Sequence, residues 1–346
     1  MELTESIKAK ALELGYRSCG IIPFEELIGY EEKIIQRVER FPESAPAFAS
    51  RKRTHSTLSR DYPWAKAIVI CLRRYGKYII PDALKGFIGK LYLTDERHEV
   101  NFKSYRHRQI FEGYLRDLSL KIACESDHGI VPYRWVAMKA GLGTIRKNNF
   151  FYSHDGSWVT MDAWLIDREI EIRETNSHKK CPDNCSLCVK SCPTKSLAEP
   201  FMTNREACIS NITTWKGRDM PNEKYRKECG GWLYGCDACQ DVCPFNHNKW
   251  ADAEVFPGLD WLAGNLTLEN LLSADYAWLR ELLAVKFWYI NEAELWKWKV
   301  NALNAMLNNY SENYLPLIEH ALGDTESKVK QMAAFVLQEI ENNNLG

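Results

Sequence analysis

The chain has 346 residues and a net charge of −1, and its 45% hydrophobic and 26% charged residues are ordinary for a globular protein of two or three domains. It contains no uncharged apolar run of the ~20 residues that a membrane span needs, and its acidic opening, MELTESIKAKALELG, is unlike a targeting peptide. We therefore expect a soluble, cytoplasmic, monomeric protein that is not attached to a membrane.

Charge is distributed unevenly along the chain. From residue 251 onward there are 14 acidic and 6 basic residues, so residues 1–250 hold 39 basic and 32 acidic ones. Arg51, Lys52, Arg53 and Arg60 lie close together within the basic part. This excess is compatible with a polyanionic partner such as RNA, and also with a solvated surface beside an acidic tail domain.

The first 175 residues alternate between helical and strand patterns. Gly15 ends a predicted helix, and Pro132 and Gly141 stand where a helix start and a helix end favour them. The periodicity predicts helices at 4–14, 101–125 and about 132–141, and strands at 18–22, 67–72 and 158–166. The pattern predicts an α/β or α+β domain over residues 1–175, built around one sheet.

Two further domains are expected. Residues 176–255 are rich in cysteine and have little periodicity, so they should fold around metal. Residues 256–346 are helical in pattern, with segments such as LWKWKVNALNAML that resemble HEAT-like helix pairs. A generic helical cap over the core is the alternative.

The twelve cysteines are the most informative feature. Cys19, Cys71 and Cys124 are isolated in apolar or helical contexts, where cysteine behaves as a small core residue. The other nine lie between Cys181 and Cys243. Because a long chain without an export signal is a poor candidate for a disulfide scaffold, we expect metal binding.

Eight of these nine form two groups that each end in C-x2-C-x3-C-P. In two-cluster ferredoxins the cysteine before proline ligates the neighbouring cluster, so the groups exchange their last ligand. The pattern therefore predicts two [4Fe–4S] clusters. The first is held by Cys181, Cys185, Cys188 and Cys243, and the second by Cys192, Cys208, Cys236 and Cys239.

A pair of zinc sites is the alternative to the clusters. Tetrahedral zinc favours two separated C-x2-C knuckles and has no use for additional cysteines so close, each followed by proline. The spacing Cys181-x3-Cys185 is one residue longer than usual, which a loop can absorb, and Cys229 lies outside both groups. With about 170 residues before them, the clusters should feed electrons to a site in the first domain.

The order of short motifs resembles the epoxyqueuosine reductase family, which is related to the reductive dehalogenases. The motifs are AGLG at 140–143, KN at 147–148, GSW at 156–158, CPT at 192–194, CIS at 208–210 and CDACQDVCPFN at 236–246. The resemblance covers nearly the whole chain. It implies a base-off cobalamin between the first domain and the first cluster, tRNA as substrate, and an external low-potential electron donor.

The same resemblance implies the reaction and its proton donor. Epoxyqueuosine in tRNA would be reduced to queuosine, with loss of the epoxide oxygen as water. A family aspartate about fourteen residues before AGLG matches Asp127, which would protonate the departing oxygen; a helix or turn cap is its alternative role. Matching by position places Arg53, Asn148, Phe151, Met161 and Ser210 against the cobalamin.

Three departures from the family lie near the expected substrate face. Arg146 replaces a glycine, Tyr133 stands where an acid is frequent, and Asn211 replaces a tyrosine. They keep two alternatives open. One is a corrinoid-dependent reductase of another substrate, such as an organohalide. The other is an iron–sulfur redox partner that reduces the corrinoid of a different protein.

Overall fold

A computed structural model describes residues 2–46, 53–97, 100–125, 129–170, 177–214, 220, 223–284 and 286–344. The N-terminal part contains the helices α1 (Leu3–Glu13), α2 (Tyr30–Arg40), α3 (His55–Asp61), α4 (Lys90–Leu93), α5 (Lys103–Asp117) and α6 (Tyr133–Lys139). Its strands are β1 (Ser18–Pro23), β2 (Ala67–Arg74), β3 (Ile122–Ala123), β4 (Thr144–Ile145), β5 (Phe151–Tyr152) and β6 (Val159–Ile166).

One four-stranded sheet organises this part of the molecule. Its order is β1-β2-β6-β3 and all its pairings are antiparallel. The mixed helix and sheet fold is therefore as expected, but the antiparallel order makes it α+β rather than α/β. Strand β2 is a nearly continuous apolar run, as expected where both faces of a sheet are covered, whereas β6 carries Thr160 and Asp162 near its start. Helix α6 packs over one face, and α1 and α5 over the other.

The sequence predictions differ from the structure at one helix end and at one whole helix in this region. The predicted helix at 101–125 is wrong beyond Asp117, because Ser119 adopts a positive φ of 59° and the chain then enters β3, which pairs with β6. Helix α2 was not predicted, although its apolar residues Tyr30, Ile34 and Val38 recur at helical spacing; none of its residues is fully buried. Cys19 and Cys71 are buried opposite each other in the β1–β2 register, whereas Cys124 is half-buried.

The remaining helices are short around the cysteines and longer near the C-terminus. They are α7 (Leu187–Ser191), α8 (Ile209–Thr214), α9 (Glu223–Arg226), α10 (Ala238–Asp241), α11 (Leu259–Asn265), α12 (Leu268–Ser273), α13 (Tyr276–Leu279), α14 (Trp296–Asn308), α15 (Leu315–His320) and α16 (Ser327–Asn344). None of the described helices is both long and apolar enough to cross a membrane.

Helix α14 is the centre of the C-terminal core. Nearly all of it is buried, and it packs against α12 and α16. The ring of Trp298 stacks on that of Tyr234 at 5.2 Å between centroids. Side chains from residues 78–93 join the same core, so the first part of the chain is tied to the helical end. The division into three domains and the HEAT-like pairing stay predictions.

Candidate functional site

Four thiols from both cysteine groups are neighbours in the region of helix α7. Burial raises the pKa of Cys188, and the neighbouring Cys243, Cys181 and Cys185 raise it further. Three of these four come from the first group and Cys243 is the last cysteine of the second. We call this set the first cysteine set.

The other four thiols form a second set around helix α10. Burial raises the pKa of Cys239, and its neighbours Cys236, Cys208 and Cys192 add to the effect. Cys192, the last cysteine of the first group in the sequence, belongs to this second set. These neighbours are compatible with the two clusters that the spacing predicts, and the assignment of each cysteine to a cluster stays a prediction.

The donor chemistry of both sets fits iron–sulfur clusters. Each provides four cysteine sulfurs, the usual ligands of a [4Fe–4S] cluster, which binds one thiolate at each iron. Among the described residues, no three of the His, Cys, Asp and Glu side chains converge closely enough to hold a single metal ion. Cys229 lies beside Cys208 but belongs to neither set, and burial raises its pKa to about 12.

Two cations are buried beside the first cysteine set. Arg146, 5% exposed, donates to the sulfur of Cys181 at 3.7 Å and to the carbonyl of Lys179 at 2.9 Å. The ammonium of Lys147, a residue 8% exposed, donates to the carbonyls of Pro182, Asp183 and Cys185 at 2.7–2.9 Å. Lys147 therefore holds the ligand loop against the first domain.

Residues of the KN and GSW motifs form hydrogen bonds between the sheet domain and the CDACQDVCPFN segment at 236–246. Asn148 donates to the carbonyl of Cys239 and to the hydroxyl of Tyr152, both at 2.9 Å. Ser157 donates from its amide to Asn246 Oδ1 and from its hydroxyl to Gln240 Oε1, both at 2.8 Å. Because these polar groups are buried and bonded across the two parts, they fix the position of the cysteine sets relative to the sheet.

The AGLG motif ends helix α6 and allows a close contact. Gly141 has a φ of 72°, and its amide bonds to the carbonyl of Met138, as at many helix C-termini. At Gly143 a Cβ atom would lie 2.3 Å from the carbonyl oxygen of Tyr152 and 2.4 Å from the ring of Phe151. The motif is thus a helix stop followed by close packing against β5.

A cleft of about 1360 Å³, partly open to solvent, lies on the side of the β4–β5 hairpin that faces away from the first cysteine set. Its apolar wall includes Ile145, Phe151, Val159 and Met161. Five arginines also line it: Arg37, Arg53, Arg97, Arg134 and Arg205. Apart from Arg53, sequence reasoning missed them, because they come from separate segments and share no motif.

The predicted cofactor contacts divide into two groups. Arg53, Phe151 and Met161 line the cleft. Neither Asn148 nor Ser210 is among the described residues that line the cleft. Asn148 is 3% exposed and bonds within the protein, and the Ser210 hydroxyl is hydrogen-bonded to Tyr92. Asn148 thus braces the loop of Cys239, and the backbone amide of Ser210 bonds to the sulfur of Cys208.

The predicted acid, Asp127, lies outside the described residues. Glu125, which precedes this undescribed segment, is bonded to two residues that line the cleft. Arg53 forms an ion pair with Glu125 at 3.0 Å, and the Tyr133 hydroxyl donates to the carbonyl of Glu125 at 3.3 Å. Burial raises the pKa of Tyr133, and the charge of Asp162 raises it further. Tyr133, one of the departures from the family, therefore faces the cleft in its neutral form.

Residues 180–246 match the family model described as "4Fe-4S double cluster binding domain", so this part of the chain is an iron–sulfur domain. Over 308 residues the chain is 30% identical to an epoxyqueuosine reductase of Synechococcus sp. (strain RCC307), covering 87% of this chain and 92% of that one.

Solved structures extend the likeness to the fold. The epoxyqueuosine reductase from Streptococcus thermophilus superposes with a TM-score of 0.79 at 22% identity, covering 98% of this chain and 90% of that one. An epoxyqueuosine reductase with an epoxyqueuosine-modified tRNA-Tyr stem loop gives a TM-score of 0.76 at 21% identity and the same coverage. The identity and the coverage together place this chain in the epoxyqueuosine reductase family.

Proposed function

We propose that this protein reduces epoxyqueuosine to queuosine in tRNA, using two [4Fe–4S] clusters and a base-off cobalamin. The reaction consumes two electrons and two protons and converts the epoxide to an alkene and water. An external low-potential donor would supply the electrons, and the protein would act in the cytoplasm as a monomer. Relatives across the family carry this name, and one of them is solved with a modified tRNA stem loop.

The position of the β4–β5 hairpin between the cleft and the cysteines is the main support for this proposal. On one side, Ile145 and Phe151 line the cleft. On the other, Arg146 donates to Cys181, and burial together with a hydrogen bond to Cys243 raises the pKa of Tyr152. A single hairpin thus separates the first cysteine set from the cleft. A cluster held by that set and a cofactor bound in the cleft would be separated only by this hairpin.

When bound, the clusters supply single electrons and the cobalamin supplies the reductive chemistry. The apolar wall of Phe151 and Met161 would pack against the corrin ring and exclude water. Arg53 would bind a polar group at its edge. Asn148 and Ser210 would act indirectly, by holding the ligand loops. Asp127 would protonate the oxygen that leaves the epoxide.

Conversion of epoxyqueuosine-containing tRNA tests the proposal. With cobalamin and a low-potential reductant under anaerobic conditions, the reconstituted protein should yield queuosine, detected by mass spectrometry of the nucleosides. Asp127→Ala should still bind cobalamin but lose turnover, whereas Asp117→Ala at the end of α5 should keep it. Unchanged tRNA with a protein that holds cobalamin would refute the substrate, and full activity of Asp127→Ala would refute the acid.

Departures around the cleft favour a second candidate, a corrinoid-dependent reductase of another electrophile. Tyr133 faces the cleft, and Asn211 bonds to Arg205, which lines it. If cobalamin-loaded protein leaves epoxyqueuosine unchanged but dehalogenates an organohalide, this candidate replaces the first. A redox partner would instead co-purify with another corrinoid protein and show no affinity for tRNA.

A further inference from the structure

The arginines of the cleft fall into two kinds. Two of them are neutralised by carboxylates: Arg53 pairs with Glu125 at 3.0 Å and Arg97 with Asp95 at 2.7 Å. Such pairs contribute little net positive charge to the cleft. Arg37 and Arg134 are held differently, and Arg205 lies beside them in the same part of the cleft.

Neutral groups orient Arg37 and Arg134, and Arg205 is also bonded to an asparagine. Arg37 donates to Asn149 Oδ1 at 2.9 Å, and Arg134 donates to the carbonyl oxygen of Asn149. Arg205 donates to Asn211 Oδ1 at 3.3 Å, and Asn211 donates back to the Arg205 carbonyl at 2.7 Å. Amide and carbonyl oxygens fix the direction of a guanidinium without cancelling its charge.

Asn149 accepts hydrogen bonds from two of these arginines, Arg37 and Arg134. It is buried, its φ is 63°, and its amide donates to Thr203 Oγ1 at 2.6 Å. Asparagine tolerates this left-handed conformation better than most residues. The conformation lets one residue offer its side-chain oxygen to Arg37 and its carbonyl to Arg134, so both are held before any ligand arrives.

The three charges repel one another. Burial lowers the pKa of Arg37, and the charge of Arg205 lowers it further. Burial likewise lowers the pKa of Arg134, to which Arg37 adds. Arginine nevertheless stays protonated at neutral pH. Among the described residues, no carboxylate forms an ion pair with Arg37 or Arg134. An anion placed between the three guanidiniums would relieve the repulsion.

We propose that Arg37, Arg134 and Arg205 form a binding site for a phosphodiester at this end of the cleft. Guanidinium groups match phosphate oxygens in shape and charge, and a preoriented set loses little side-chain entropy on binding. The identity of the ligand rests on the proposed function, which offers two sources: the phosphodiester in the nucleotide loop of cobalamin and the RNA backbone. The site itself depends only on the three arginines.

Calorimetric titration with inorganic pyrophosphate, in the presence of a chelator, tests the site directly. The parent should bind it, and Arg37→Gln/Arg134→Gln should bind at least tenfold more weakly. Arg40→Gln is the matched control, since Arg40 is exposed on the same helix and pairs with Glu199. Arg205→Gln provides a second, independent variant should the double variant fold poorly. No binding by the parent, or equal binding by all variants, overturns the inference.

Two further titrations distinguish the two possible sources of the phosphodiester. If the nucleotide loop is the ligand, the double variant should lose at least tenfold in affinity for cobalamin but not for cobinamide, which lacks that loop. If the RNA backbone is the ligand, the loss should appear with an anticodon stem loop. Where the parent binds both and the variant weakens neither, the phosphodiester assignment is overturned.

Failure of the proposed function has a different signature. In that case the parent binds neither cobalamin nor the stem loop, while pyrophosphate binding still depends on Arg37 and Arg134, and the anion site stands. Conversely, tRNA conversion without any arginine-dependent binding of pyrophosphate retains the function and removes the site.

Discussion

The guanidinium of Arg146 lies between the sulfur of Cys181, 3.7 Å from Nη1, and the ring of Phe245, whose centroid is 3.2 Å from the guanidinium carbon. Arg146 is 5% exposed and stands where the family has a glycine. Net charge and hydrogen bonds to cluster sulfurs set the reduction potential of iron–sulfur centres. A buried cation at this position favours the reduced, more negative cluster.

Arg146→Gly should therefore lower the midpoint potential of the first cluster. Loss of a charge-assisted hydrogen bond should shift it by about 60 mV or more, equivalent to about tenfold in a one-electron equilibrium. A redox titration followed by electron paramagnetic resonance measures the shift, and the second cluster is the internal control. An unchanged or higher potential in the variant would show that Arg146 does not act on the cluster.

Crossed ligation predicts a distinctive pattern of iron loss. Cys192 and Cys236 come from different groups but belong to one set, so Cys192→Ala/Cys236→Ala should retain about four irons, like either single variant. Cys188→Ala/Cys192→Ala combines cysteines of one group but of both sets, and it should lose both clusters.

Iron and sulfide analysis of anaerobically purified variants decides between the arrangements. Cys229→Ala is the control and should keep about eight irons, because this thiol lies outside both sets. If the two double variants behave the other way round, each group binds its own cluster and the crossing is wrong.

Gly143→Ala should destabilise the protein by about 1–3 kcal/mol, the usual cost of overpacking. The new methyl would meet the Tyr152 carbonyl at 2.3 Å and the Phe151 ring at 2.4 Å. Gly113→Ala is the matched control: no atom lies within 4 Å of its Cβ position in α5, and alanine favours helix by about 1 kcal/mol. Urea unfolding compares the two, and equal stability of both variants would contradict the packing.

The buried pair of Lys299 and Asp324 gives a stability prediction that depends on pH. Burial raises the pKa of Asp324, but hydrogen bonds from Lys299 at 2.8 Å, the Glu326 amide and Tyr276 outweigh it and leave the pKa lowered. Asp324→Asn leaves the Lys299 ammonium buried without its partner. At pH 7 the variant should lose about 3–5 kcal/mol of unfolding free energy.

The sign of the pH effect follows from the lowered pKa. The ionised carboxylate stabilises the folded state above the unfolded pKa of about 3.9, and this contribution is lost as pH falls through the folded value. The difference in unfolding free energy between parent and Asp324→Asn should therefore be constant from neutral pH to about pH 5 and shrink below about pH 4. Glu13→Gln, in the exposed pair with Lys10, is the control and should change little. A difference that grows in acid would contradict the assignment.

Local patterns predicted those parts of the molecule that local chemistry decides. The periodicity of LWKWKVNALNAML indicated α14. The cysteine spacing predicts an iron–sulfur domain, which the family model over residues 180–246 supports. Convergence of distant segments was not predictable. Arg37, Arg134 and Arg205 meet only through the folded positions of α2, α6 and the loop before α8, and no motif marks them.

The relative direction of the strands could not be predicted from the sequence either. The alternation of helices and strands left α/β and α+β open, because the long connection between β2 and β6 is compatible with either strand direction; the two strands pair antiparallel. Asn148 shows the same limit at the level of one residue. Its motif indicated a cofactor contact, but only the fold shows that its amide reaches the carbonyl of Cys239.

Metal analysis of the protein purified without oxygen tests the central claim most directly. Two clusters that feed a corrinoid predict about eight irons and eight sulfides per chain, and one cobalt after loading with cobalamin. Zinc in place of iron, or iron without any capacity to retain cobalt, would contradict the account.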